Sequence, residues 1–303
     1  MRFPERERRR IRSLRRLRPE LSEALEFLAA ATELAPADAD EFPVDRLKPP
    51  TPGFPPLSPD TFPLDEPKAA EDLRRLLDAF VEATGSAEAG TVLRAAREGR
   101  LDLRRLVSAY RSSDREPFEI AAGRLEGIEP PLLIHLTELA VKPQFIAAAR
   151  ALGESGRKAD AGDRPDTCPL CGSAPDLLLV EDRRDVERIA VAVCRLCESE
   201  WPVKRVRCLA CGNEDTESLS YLQAEGEEDL RANVCEVCHH YIPLLDARGR
   251  LEVAPMVERI AAAHLDVVAG QRGYAPLEPA WYAWSGAQGR GRRLPSAGVP
   301  PSE

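Results

Sequence analysis

The stretches CPLCGSAP (residues 168–175) and CRLCESEW (194–201) are followed by CLACGNED (208–215) and CEVCHHYI (235–242), and these four hold every cysteine of the chain. The pairs are Cys168/Cys171, Cys194/Cys197, Cys208/Cys211 and Cys235/Cys238. A shift of about forty residues lays the first two pairs on the last two, so the region reads as a duplicated unit of knuckle, β-hairpin and knuckle. Two thiolates separated by two residues grip one ion from a tight turn, and a second such turn, returned by the hairpin, completes a tetrahedral set of four sulfurs. The economical assignment gives Cys168, Cys171, Cys194 and Cys197 to one metal and Cys208, Cys211, Cys235 and Cys238 to a second. Interleaved pairing across the repeats is less economical, because each hairpin already returns its own second pair.

Zinc and iron both suit a thiolate tetrahedron, and the spacing does not choose between them. Gly172 and Gly212 follow the second cysteine of their knuckles, where a positive φ lets backbone N–H groups face the sulfurs. Four sulfurs per site leave no open coordination position for Lewis-acid chemistry. The string CEVCH also fits c-type haem attachment, but three matching pairs elsewhere favour a metal ion. His239 or His240 in place of a cysteine ligand is the weaker alternative to the four-cysteine set.

The formal charge of −9, with 31% charged residues, fits a soluble protein and argues against general nucleic-acid binding. Lys204, Arg205 and Arg207 would suit a nucleic-acid ribbon, yet the surrounding carboxylates of residues 168–250 would repel a phosphate backbone. No run approaches the roughly 18 apolar residues of a membrane span. Arginine pairs such as Arg15-Arg16 are followed by Pro19, Glu20, Glu23 and Glu26 rather than by the apolar segment of an export signal, which points to the cytoplasm. In a reducing cytosol, paired cysteines bind metal rather than form a disulfide framework. A thiol oxidoreductase would need an accessible thiolate at a helix N-terminus, whereas these pairs sit at hairpins.

The fold class expected is α+β: an N-terminal helical bundle, two rubredoxin-like or zinc-ribbon modules, and a C-terminal helix. Residues 1–152 carry helical apolar spacing, as at Ile11, Leu14, Leu17, Leu21, Leu25 and Leu28. Pro19 divides the first helix, Pro143 kinks or restarts the last, and the arginine run at 8–18 reads as a solvated face. His135 is read as an ordinary core or surface histidine. Within this domain the segment 43–67 is proline-rich and extended, lying along the bundle with Leu47, Phe54, Leu57, Phe62 and Leu64 docked. The ribbons span 166–206 and 207–252, and a helix at 253–275 closes the fold. A further hairpin is predicted to turn at Ala247–Gly249, and the tail at 286–303 has the composition of disorder.

Taken together, CPLCGSAP, CRLCESEW, VKRVRCLACGN and CEVCHHYI resemble the FdhE family of accessory proteins for respiratory formate dehydrogenases. The likeness includes Glu200-Trp201 after the second pair and Arg205 before the third, and continues into LDVVAGQRGYAP, so it covers roughly residues 166–276. It implies a cytoplasmic assembly factor, without catalysis of its own, that binds the molybdenum- or tungsten-containing catalytic subunit before export. It implies two rubredoxin-like sites holding iron or zinc, with the eight cysteines as ligands. No nucleic acid and no membrane insertion are expected, and homo-oligomerisation is compatible with it. The chain departs from the family pattern at the last knuckle, where His239 stands in place of a glycine and Pro243 near an expected lysine. Trp201 and Tyr241 are candidate partner contacts, with packing against the ribbon as the alternative for each.

Overall fold

The computed structural model describes residues 3–33, 42–43, 47, 55–58, 62–153, 166–183 and 186–277. The tail at 286–303 and Phe54 lie outside them. The first apolar rhythm builds α1 (Phe3–Leu17) and α2 (Ser22–Glu33), separated by a 3₁₀ turn at Pro19–Leu21. Proline has no N–H to give the preceding turn, so the chain bends there and re-enters a helix.

The bundle continues with α3 (Glu66–Thr84), α4 (Ala87–Arg97), α5 (Leu103–Arg111), α6 (Glu116–Gly123) and α7 (Pro130–Ala151). Asp65, Ser86 and Asp102 cap α3, α4 and α5 by accepting from otherwise unpaired N–H groups of the first turn. Gly85 ends α3 in the left-handed conformation, φ 64°. The last helix runs unbroken through Pro143, which is buried inside it.

By length and hydropathy α7 does reach what a membrane span needs, contrary to the expectation from the apolar runs. Its apolarity is explained by position, because 78% of its most apolar window is buried within the protein.

The proline-rich segment is docked where it is described. Leu57 is fully buried, and its N–H donates to the carbonyl of Leu170, inside the first knuckle, at 2.7 Å. Phe62 stacks on Phe145 of α7 with ring centroids 4.2 Å apart. Phe42, Leu47 and Leu64 pack half-buried against the same core. The segment thus ties the bundle to the first cysteine pair.

The strands are β1 (Pro175–Arg183), β2 (Val186–Cys194), β3 (Glu200–Val203), β4 (Leu219–Leu222), β5 (Leu230–Cys235), β6 (His240–Asp246) and the short β7 (Ala275–Pro276). They form one sheet in the order β3-β2-β1-β6-β5-β4, with β7 beside β6. Each repeat supplies an antiparallel unit, and the two are joined by a parallel pairing in which Leu178, Leu179 and Val180 face Leu244, Leu245 and Asp246.

The predicted hairpin at Ala247–Gly249 is half formed. The chain turns there, but residues 250–254 make no strand. Both edges of β6 are already taken, by β5 on one side and by β1 and β7 on the other. The C-terminal helix is divided at Ala262 into α8 (Pro255–Ala261) and α9 (Ala263–Gln271).

One sheet face, with Leu178, Val180, Ile242 and Leu244, shares a core with the helical bundle. The opposite face, with Leu179, Val191, Ala232, Val234 and Leu245, packs against Leu265 and Ala269 of α9. A third cluster joins Ile11 and Leu14 of α1, Leu25 and Leu28 of α2, and Val257 and Ala261 of α8.

The arginine run is only partly a solvated face. Arg8, Arg9, Arg12 and Arg16 are exposed. Arg10 grips the buried Glu258 of α8 with two bonds of 2.7 and 2.9 Å, and Arg18 donates to Glu227 at 2.7 Å.

Candidate metal centres

Each knuckle has the same backbone. The N–H of the first cysteine donates to the carbonyl five residues on, from Cys168 to Ser173, Cys194 to Ser199 and Cys208 to Asn213, at 2.7 to 2.9 Å. The N–H after the second cysteine returns to the carbonyl of the first, from Gly172, Glu198, Gly212 and His239. These four residues all have left-handed φ, at 77°, 56°, 76° and 54° respectively. The turn therefore requires a positive φ whether or not glycine supplies it. His239, where the chain departs from the family pattern, adopts the same shape as the glycines.

The hairpins bring the knuckles together as two sets, Cys168 with Cys171, Cys194 and Cys197, and Cys208 with Cys211, Cys235 and Cys238. Within each set the sulfurs lie within 4.8 Å of one another. The facing pairs are Cys168–Cys197 at 3.6 Å, Cys171–Cys194 at 3.4 Å, Cys208–Cys238 at 3.6 Å and Cys211–Cys235 at 3.8 Å. A tetrahedron with metal–sulfur bonds of about 2.3 Å has edges of about 3.8 Å. A disulfide would need about 2.05 Å. The donor sets fit a four-coordinate thiophilic ion, and each group is able to hold one.

The two sets differ in surroundings. All four sulfur-bearing residues of the first set are buried in the core shared with the bundle. Burial there pushes the Cys168 and Cys171 thiols well up, while against the same burial the neighbouring thiols hold Cys197 well down. Backbone N–H groups of Leu196 and Cys197 point at Cys194 Sγ from 3.4 Å. In the second set Cys211 is exposed and Cys238 is half-buried. Partial burial pushes Cys208 up to about 11. Asn213 braces the second set through Ser218 Oγ at 2.8 Å, with its amide 3.8 Å from Cys235 Sγ.

The first set is held against the bundle by charged groups that no local pattern announces. Arg195, inside the second knuckle, lies 3.8 Å from both Glu138 of α7 and Asp176 of β1. The buried Tyr110 hydroxyl of α5 donates to Glu138 at 3.1 Å, and burial together with that carboxylate raises its pKa well above the ordinary value. Glu198 lies 3.6 Å from Lys142 and 3.9 Å from Arg6. The one hint in the sequence is an arginine within an otherwise apolar C-x-x-C turn.

Neither Trp201 nor Tyr241 is offered to a partner. Trp201 is 2% exposed in the shared core, and the buried Tyr241 donates its hydroxyl to Asp266 at 2.7 Å. The basic patch is also largely occupied, since Lys204 and Arg207 both bind Glu214.

Residues 206–280 match the family described as FdhE, C-terminal domain. An FdhE homologue of Aquifex aeolicus is 32% identical over 111 residues, which is 37% of this chain and 39% of that protein. The match to an FdhE homologue of Haemophilus ducreyi spans 37% of that protein, so the chain aligns with well under half the length of these relatives. One from Stutzerimonas stutzeri is 28% identical over 226 residues, covering 70% of this chain and 68% of that protein. The crystal structure of the FdhE protein from Pseudomonas aeruginosa shares the fold, with a TM-score of 0.59 at 22% identity over 92% of this chain and 95% of that one. The matched C-terminal domain and the relatives make this chain similar to the FdhE family, and the crystal structure adds the shared fold.

Proposed function

We propose that the chain is an accessory protein for a respiratory formate dehydrogenase, acting in the cytoplasm on the catalytic subunit before that subunit is exported. The observation that carries this reading is the pair of closed four-cysteine clusters within a chain similar to the FdhE family. A site whose four donors come from its own two knuckles builds a platform rather than a reaction centre, and the proposal includes no catalysis by this chain.

In this reading the ligands are Cys168, Cys171, Cys194 and Cys197 for one ion and Cys208, Cys211, Cys235 and Cys238 for the other, with iron or zinc bound. The helical unit at 1–152 and the two ribbons at 166–206 and 207–252 act as one body in recognition. Support comes from the core that the bundle shares with the first knuckle pair.

The test is co-purification. The tagged chain is recovered, without crosslinking, from its own host grown with formate dehydrogenase expressed, and the bound proteins are identified by mass spectrometry. Recovery of the catalytic subunit still carrying its export signal is expected. Consistent absence of that subunit, with the tagged chain folded and metal-loaded, overturns the reading.

A further inference from the structure

The sheet carries helices on both faces, but among the described residues one face is not covered across its whole width. The bundle lies over Leu178, Val180, Ile242 and Leu244. The strand register carries that same face onward through Arg231 and Asn233 of β5 to Tyr221 of β4, where Tyr221 is 57% exposed. A cavity of about 230 Å³ opens there, walled by the segment leading into the third knuckle and bounded by Leu277.

Its lining holds three arginines and no carboxylate, on a chain whose net charge is −9. Arg207 is satisfied by Asp166 and Glu214. Arg205 is exposed and has no ion-pair partner among the described residues. Arg231 lies with its guanidinium carbon 5.1 Å from the centroid of the Tyr221 ring, and its Nε is buried without an acceptor among the described residues. The nearby Asp246 carboxylate is held by Arg248. A buried N–H donor without an acceptor is costly, and an incoming carboxylate would remove that cost.

We propose that this groove docks an extended acidic segment of a partner protein, its carboxylates on Arg231 and Arg205 and its apolar residues on Tyr221 and Ile242. The proposal rests on the accessory-protein reading and locates its recognition surface. Three observations select this occupant. The lining mixes apolar side chains, among them Tyr221, Ile242 and Leu277, with Asn233 and the arginines, which suits alternating side chains better than a lone inorganic anion. Strand β4 pairs only with β5 among the described strands, so its outer edge is open to an added strand. Residues 278–303 of this chain have the wrong sign, with Arg290, Arg292 and Arg293 against Glu278 and Glu303.

The probe is a fluorescent nonapeptide of alternating aspartate and valine, titrated by anisotropy into the metal-loaded full chain at low salt. Saturable binding that weakens as salt rises is expected, and a peptide of alternating lysine and valine should not bind. Arg205→Glu and Arg231→Gln should each weaken binding by about tenfold or more. If Arg231→Gln fails to fold, Arg205→Glu decides alone, because its site is exposed. No saturable binding, equal binding of the two peptides, or indifference to Arg205→Glu overturns the proposal.

Co-purification separates the two readings. A catalytic subunit recovered equally by wild type and Arg205→Glu refutes the groove and leaves the accessory function standing. A subunit recovered by neither refutes that function, while the peptide titration still judges the groove.

Discussion

At the scale of single residues, the position after each second cysteine is held at a left-handed φ in all four knuckles. Outside glycine, a left-handed φ costs on the order of 1 kcal/mol, and His239 bears that strain on the surface. His239→Gly should stabilise the protein by up to about 1 kcal/mol in denaturant unfolding, while Gly212→Ala should lose about as much. An alanine Cβ at 212 would meet only the tip of Arg207, at 3.1 Å, so its cost comes mainly from the backbone. Equal stabilities of the wild type and the His239→Gly variant would contradict the shared knuckle geometry.

Glu7 makes a second prediction at this scale. It is fully buried, with one carboxylate oxygen lacking a hydrogen bond among the described residues, and burial raises its pKa against the opposing pull of Arg6. A carboxyl with a raised folded-state pKa favours the fold in its protonated form. Its contribution is fully present below the unfolded value and is lost as pH rises through the folded one. Glu7→Gln should therefore be more stable than wild type near neutral pH, with the difference closing on acidification. Unfolding midpoints across pH 4 to 7 check this, and a gain that grows toward low pH would refute it.

At the scale of elements, what was legible followed sequence distance. The four knuckles, the hairpin strands β1, β2, β4 and β5, and the helical rhythm all depend on neighbours within a few tens of residues, and a period or a spacing records them. The union of the two ribbons depends on Leu178–Val180 meeting Leu244–Asp246 in parallel, and nothing local marks that pairing. Strand β3 carries Pro202 among its four residues, which reads against a strand.

The arginine run illustrates the same limit. Its helical spacing was visible, but not that Arg10 would be paired with a carboxylate in α8. That pair forms a clamp between the first helix and the last pair of helices. Arg10→Ala leaves Glu258 with Arg250 at 3.4 Å as its remaining cation. A loss of about 1.5–3 kcal/mol is expected, with amide protection falling first along α1. Unchanged exchange in α1 would show that the apolar cluster of Ile11 and Leu14 holds the helix without the clamp.

At the scale of the whole molecule, the two cysteine clusters are sequence repeats placed in unlike surroundings. One is sealed in a core common to bundle and sheet, and the other reaches the surface at Cys211. A chromophoric chelator should therefore withdraw metal in two phases, the faster from the second site, and the slower only as the protein opens globally. Cys211→Ser should lose one metal equivalent with local loosening, whereas Cys194→Ser should lose one equivalent and lower the unfolding midpoint of bundle and sheet together. Release in one phase, or retention of both metals in either variant, would overturn the two-site assignment.

The clamp between Arg10 and Glu258 also bears on how the chain is made. The partners are 248 residues apart. At roughly 5–20 residues per second, a ribosome that has delivered Arg10 needs on the order of 12 to 50 seconds more to deliver its carboxylate. Throughout that interval the apolar side of α1, with Ile11 and Leu14, waits for Val257 and Ala261 to be synthesised. The nascent chain cannot complete its fold in order of synthesis, and in that window the apolar side of α1 has, of that cluster's buried residues, only Leu25 and Leu28 of α2 to pack against.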